Sequence, residues 1–270
     1  MTADRGPLLG EGREAEIFGW GDGQALRLLR DPNAGPRLEW EAAAMRAASR
    51  AGVAVPTVDG VIAVEGRPGL VMQRIVGTDL LTELGRRPLR FHRRARELGT
   101  LQARLHATTA PPELPAVRDW LRGRIQLAPH LPDETRASTL ELLDALPDGD
   151  GLCHGDFHPG NVMVGERGPV IIDWVGGARG DPPGDLARTM LLLEVATRPN
   201  ASAVTAVIDA IGRRWFARTW RRAYERRRPV DPAAFDRWMT VHAAARLAEG
   251  FDDEIPSLLA RLEAQTATRA

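Results

Sequence analysis

From Leu8 to Arg30 the chain reads LLGEGREAEIFGWGDGQALRLLR, apolar and polar positions roughly in alternation, broken at Gly10–Gly12 and at Gly21-Asp22-Gly23. That rhythm predicts strands, and the second break is a strong hairpin signal. The period then lengthens. PRLEWEAAAMRAASR (36–50) sets Leu38, Ala42, Met45 and Ala48 near helical spacing, and Gly52 stands where a helix would stop. VPTVDGVIAVEGRPGLVMQRI (55–75) returns to strands, with turns expected at Asp59-Gly60 and at Arg67-Pro68-Gly69. After Gly77 the pattern is mainly helical. Residues 89–109 place Leu98, Leu101 and Leu105 on one face, and 133–146 place Leu140, Leu143 and Leu146 behind Asp133 as an expected N-cap. A strand-like stretch over 151–175 interrupts the helices. From Asp185 onward the helical period resumes, with breaks at Pro199-Asn200, Arg228-Pro229 and Gly250. The expected architecture is α+β: a small β-rich region over residues 1–76 and a larger, mainly helical region over 77–270.

Composition narrows the classes. With 270 residues, 43% of them hydrophobic, the chain can bury a sizeable core. Its 36 basic and 36 acidic residues cancel, so no overall field favours nucleic acid or an anionic membrane. The single cysteine, Cys153, excludes an internal disulfide framework. The N-terminal stretch MTADRGPLLGEGREAE holds no apolar signal core, and no apolar run reaches about 18 residues. A soluble, cytoplasmic protein without a membrane partner is expected. Every strong base is arginine; there is no lysine.

The chemistry concentrates in CHGDFHPGNVMV (153–164), followed by VIIDW (170–174). Asp, Asn, Gly and Pro are ordinary turn residues. A turn needs neither two histidines nor a second Asp inside an apolar run, where an unpaired carboxylate costs several kcal/mol. A functional reading explains the spacing. Asp156, Asn161 and Asp173 can meet where a loop joins paired strands. Asn and Asp oxygens suit Mg²⁺, and Asp156 is then free to accept a proton. One Asp as base with Asn and Asp for metal is the layout of a phosphoryl-transfer loop.

HGDFHPGN (154–161) with IIDW (171–174) resembles the aminoglycoside phosphotransferase and choline-kinase-like family, relatives of the protein kinases. GDPPGDLA (180–187) matches the family's following segment. The resemblance runs from about residue 8 to about residue 190. It implies a bilobal protein-kinase-like fold with a nucleotide-binding lobe over 1–76 and a catalytic lobe over 77–270. It also implies transfer of a γ-phosphate from ATP, with GTP possible and Mg²⁺ required, to a hydroxyl of a small molecule. By this resemblance Asp156 is the catalytic base, and Asn161 and Asp173 hold the metal. His158 lies where relatives place a group near the transferred phosphate, although a turn histidine bonded to backbone fits equally. Gly10 and Gly12 belong to the phosphate-covering loop. Gln73 and Ile75 lie on the hinge strand that meets the adenine edge, and Glu41 is the helix glutamate. His154, Asp185 and His106 read as structural braces.

The departure is Arg27, where the family has lysine. Arg keeps the charge but is longer and planar. Genome-wide loss of lysine, an altered nucleotide geometry, or a regulatory pseudokinase that binds nucleotide without transfer would each account for it. Absence of lysine everywhere favours the first. For the acceptor, Asp252, Asp253 and Glu254 are the candidate acidic floor, against the plainer reading of a helix N-terminus. RRWFARTWRRAYERRR (213–228) carries eight Arg and one Glu. Phe216, Trp220 and Tyr224 form a stripe along it, widened by Trp215. It reads as an amphipathic helix with aromatics inward. An anionic substrate is the sharper alternative; the neutral total charge and lack of a nucleic-acid motif argue against nucleic acid.

Overall fold

In the computed structural model, which describes residues 5–165, 168–195 and 203–267, three strands open the chain: Arg5–Glu11 (β1), Ala15–Trp20 (β2) and Gln24–Leu29 (β3). The helix Gly35–Arg50 (α1) follows, then Val58–Val64 (β4) and Arg67–Gln73 (β5). Together the strands make an antiparallel sheet of order β1-β2-β3-β5-β4. Pleating sorts the side chains of β3. Leu26 and Leu28 join Val71 in a small cluster on one face, while Leu29 belongs to the main core. Arg27 shares the parity of Leu29 and is buried. Leu38, Ala42 and Met45 of α1 are buried, as their spacing predicts.

Two expected turns are displaced. The β4–β5 connection is Glu65-Gly66, both with positive φ (52° and 75°), so Arg67-Pro68-Gly69 opens β5 instead. Asp59-Gly60 lies inside β4, where the register slips between Val58 and Gly60. A bulge takes up the extra residue without ending the strand.

The larger region begins with Thr78–Asp79 (β6) and Leu80–Arg86 (α2). Then come Phe91–Leu105 (α3), Val117–Leu127 (α4), Asp133–Asp144 (α5) and Gly151–Cys153 (β7). Val162–Gly165 (β8), Gly168–Ile171 (β9) and Ala178–Gly180 (β10) follow, and Pro182–Val195 (α6), Ala203–Glu225 (α7), Pro232–Arg246 (α8) and Ile255–Ala267 (α9) complete it. β6-β8-β9 form one small sheet and β7-β10 another. Asp133 is the first residue of α5 and makes no cap bond; Pro132 occupies the cap position. Its carboxylate still sits in the first turn, where the helix dipole favours it. The helix expected from Asp185 begins at Pro182. The break expected at Pro199-Asn200 lies outside the described residues. Gly250 ends a short 3-10 turn in the left-handed conformation (φ 74°).

Phe216, Trp220 and Tyr224 of α7 are buried, as the amphipathic reading requires, and Trp215 stays partly exposed, stacked on Phe91 at 5.7 Å. α7 crosses α3 closely: a Cβ on Gly99 would lie 2.3 Å from the Trp220 carbonyl oxygen. Among the described residues no helix is long and apolar enough to cross a membrane.

Candidate active site

The motif loop leaves β7 at Cys153 and enters β8 at Val162, with a short 3-10 turn over Pro159–Asn161 between them. β8 and β9 pair Val162 with Ile171, and the Asn161 carbonyl accepts from the Ile172 N–H at 2.9 Å. This antiparallel register puts Ile172 opposite Asn161 and Asp173 one residue further on. Asp173 takes φ 59°, a left-handed value that Asp tolerates better than most residues.

Asn161 is buried and uses its amide nitrogen twice, toward the Asp156 carbonyl at 2.9 Å and toward Asp156 Oδ2 at 3.0 Å. Its Oδ1 and the Asp173 carboxylate enter no hydrogen bond among the described residues. Two oxygen-bearing groups are thus left without hydrogen-bond partners at the ends of paired strands, which fits a hard cation that keeps several water or phosphate ligands.

Asp156 is half-exposed, with 41% of its side chain accessible, and Asp173 is exposed. His158 Nε2 lies 3.4 Å from Asp156 Oδ2. His158 Nδ1 accepts from the Gly160 N–H at 3.0 Å, so the neutral ring carries its proton on Nε2, facing the carboxylate. His158 thus bonds to turn backbone through one nitrogen, as the plainer reading has it, and faces Asp156 through the other. Burial pushes the Asp156 carboxyl up. The His158 hydrogen bond, with Arg188 and His154 behind, outweighs burial and holds it down at about 2. Both contacts fall on Oδ2, which leaves Oδ1 as the freer oxygen.

Beneath the loop, Asp185 of α6 accepts from the backbone N–H groups of His154 (3.2 Å) and Gly155 (2.7 Å). It also takes His106 Nε2 at 2.9 Å, and His106 Nδ1 meets the Tyr224 hydroxyl at 2.7 Å. His154 is fully buried; its Nε2 meets the Ile172 carbonyl at 3.0 Å and its Nδ1 accepts from the Asp156 N–H. Burial holds its ring below the usual histidine range. These residues brace the loop, as the sequence suggested. Cys153 is buried, and burial pushes its thiol well up, so it is packing and not a nucleophile.

On the sheet side, Arg27 Nη1 lies 2.8 Å from Glu41 Oε2, and both are buried. Burial lifts the Glu41 carboxyl to about 7; the Arg27 charge opposes this and the Asp173 charge adds to it. Asp173 is thus felt at the Arg27–Glu41 pair from across the two regions. Gly12 begins the β1–β2 connection, its N–H donating to the Ala15 carbonyl, and Gly10 is the penultimate residue of β1, with open space where a Cβ would stand. At the far end of β5, the Gln73 N–H is committed to the Thr57 carbonyl at 2.8 Å. That removes Gln73 as a free backbone donor. Ile75, beyond the strand, has no backbone hydrogen bond among the described residues.

One charged residue near the loop has no counterpart in the sequence reading. Arg188 of α6 is buried, and its Nε donates to the Gly155 carbonyl at 3.3 Å. Its place in the DLART run one turn after Asp185 was the available signal, but its partners are far off in sequence.

The model of the phosphotransferase enzyme family (APH) matches residues 8–230. Among solved structures, an aminoglycoside phosphotransferase APH(4)-Ia is 17% identical with a TM-score of 0.65, over 99% of this chain and 94% of that one. The amicoumacin kinase hAmiN, solved with AMP-PNP, Ca²⁺ and its antibiotic, is 15% identical with a TM-score of 0.66, over 97% and 87%. An APH(2″) complex with GDP and kanamycin is 19% identical with a TM-score of 0.61, over 98% and 93%. These likenesses give a kinase-like fold. A comparison with curated protein sequences finds no match.

Proposed function

The chain belongs to the phosphotransferase enzyme family, and from that premise we propose that it moves the γ-phosphate of ATP, held with Mg²⁺, to a hydroxyl of a small molecule. GTP is the second candidate donor; one similar structure holds GDP, one ADP, and three hold AMP-PNP. Residues 1–76 form the nucleotide-binding lobe and 77–270 the catalytic and acceptor lobe.

The observation that carries this reading is Asp156, a half-exposed carboxylate held ionised, with Oδ2 anchored and Oδ1 the freer oxygen. The acceptor hydroxyl hydrogen-bonds to Oδ1. As the new O–P bond forms and the bond to the leaving diphosphate breaks, its proton passes to Asp156. His158 and Asn161 fix the carboxylate and prevent it from rotating away. Asn161 Oδ1 and Asp173 hold the metal, which when bound offsets phosphate charge. Arg27, oriented by Glu41, contacts the phosphates; Gly10 and Gly12 let backbone approach them, and Ile75 meets the base.

The expected outcome for Asp156→Asn is nucleotide binding intact and transfer reduced by about 10²–10⁴-fold. Mass-shift assay of an acceptor panel, with calorimetry of nucleotide binding, checks both halves. Unchanged turnover removes Asp156 from the base role. The rival reading, a nucleotide-binding regulatory module without transfer, has Arg27 as its one support.

A further inference from the structure

Beside the catalytic loop lies a group of charges of which only Arg188 bears on Asp156. Arg188 is buried beneath Gly155, and its guanidinium carbon is 5.7 Å from the centre of the Trp120 ring. Arg124, one turn along α4, lies 5.1 Å from the same ring and forms no salt bridge among the described residues. Trp120 itself is 39% exposed, so the two cations flank an accessible aromatic lip.

The acids on this side are already engaged. Glu249 Oε1 lies 2.8 Å from Arg188 Nη1, and Glu249 also pairs with Arg246. Glu254 is buried and takes Arg246 through Nε and Nη2 at 2.7 and 2.8 Å. The expected acidic floor is therefore only partly available. Its innermost carboxylate is neutralised by Arg246, while Asp252 and Asp253 remain in solvent, as does Asp119 on α4, where salt screens them. The Arg188 contact is also incomplete: Nη1 and Glu249 Oε1 are close, but neither makes an aligned hydrogen bond. Arg188 thus shares its one carboxylate, Glu249, with Arg246. Of the three Arg, Arg188 and Arg246 have carboxylate partners, and Arg124 has none among the described residues.

We infer that the acceptor carries an anionic group, carboxylate or phosphate, besides its hydroxyl. Arg124 receives that group at the Trp120 lip, and Arg188 supports it from below. The inference rests on the phosphotransferase reading of Asp156, and it gives the acceptor the opposite charge to a polycationic antibiotic.

The test is a set of sugars that share one ring and differ in charge. Glucuronate and glucose 6-phosphate supply the carboxylate and the phosphate, glucose is neutral, and glucosamine is cationic. Binding of each to the Mg²⁺–AMP-PNP-loaded protein is measured by calorimetry. The expected result is at least tenfold tighter binding of one of the two anionic sugars than of glucosamine, with the advantage lost in Arg124→Glu. Arg124→Gln, a milder change at a partly exposed site, is expected to weaken the advantage without reversing it. Equal or tighter binding of glucosamine, no discrimination among the four, or an advantage that survives Arg124→Glu overturns the proposal. Binding of Mg²⁺–AMP-PNP itself, measured first and abolished by Asp173→Ala, tests the phosphotransferase reading separately.

Discussion

Arg27 and Glu41 show how a single ion pair can carry a pH dependence. The Glu41 carboxyl is raised to about 7 from 4.5. Its folded form holds a proton that the unfolded chain would release, so its contribution to stability falls as pH rises from about 4.5 to about 7. Function runs the other way. Above about pH 7 Glu41 is ionised and can fix Arg27; below it the pair loses half its charge. Transfer is expected to rise with pH through about 7, and Glu41→Gln to flatten that limb in a kcat/KM profile. Asp156, held at about 2, adds no inflection near neutrality. A companion measurement is Arg27→Lys. Turnover within a few-fold of the parent supports tolerated replacement, and a many-fold gain marks Arg27 as a defect. Arg27, Glu41, Asp156, Asn161 and Asp173 were all legible in the sequence, since local motifs carry them. Arg188 was not, because Trp120 and Glu249 are some sixty residues away on either side and nothing local joins them.

Among elements, α6 supports the 153–164 loop through one buried carboxylate. Asp185 is held at about 2 because the His106 hydrogen bond and charge, aided by His154 and the Gly155 N–H, outweigh the upward push of burial. Its folded value lies below its unfolded one, so it stabilises above about pH 4, and that share is lost as pH falls toward 2. Removing one partner of a buried charged network costs about 3–5 kcal/mol. Asp185→Ala is expected to lose that much in urea unfolding and to lower transfer as the loop relaxes. The α3–α7 crossing makes a second prediction. Gly99→Ala drives a methyl into the Trp220 carbonyl, and overpacking of this kind costs about 1–3 kcal/mol. The helices themselves were readable from periodicity. The β4–β5 turn was not, because Asp59-Gly60 and Arg67-Pro68-Gly69 both carry turn chemistry, while Glu65 takes the positive φ that residue type rarely adopts. The sheet's register decided between them.

For the whole molecule, the proposed nucleotide site would draw on both regions: Arg27 and Glu41 from the sheet side, Asn161 and Asp173 from the helical side. A ligand that bridges them binds only the folded chain, and stabilisation at about 100 times Kd is roughly 2.7 kcal/mol. At about 2–4 °C per kcal/mol for a chain of this class, Mg²⁺–AMP-PNP is expected to raise Tm by roughly 5–10 °C. Asp173→Ala should abolish the Mg²⁺-dependent part of that shift; a full shift in the variant contradicts the metal assignment. The Arg27–Glu41 pair also governs how this protein can be found in a mixture. Reagents that tag nucleotide sites by acylating a nearby amine depend on a lysine at the phosphates. A guanidinium is a poor nucleophile at neutral pH, and this chain offers no lysine amine anywhere. An active, nucleotide-loaded protein will therefore remain untagged in such a profiling experiment, and a blank there says nothing about its turnover.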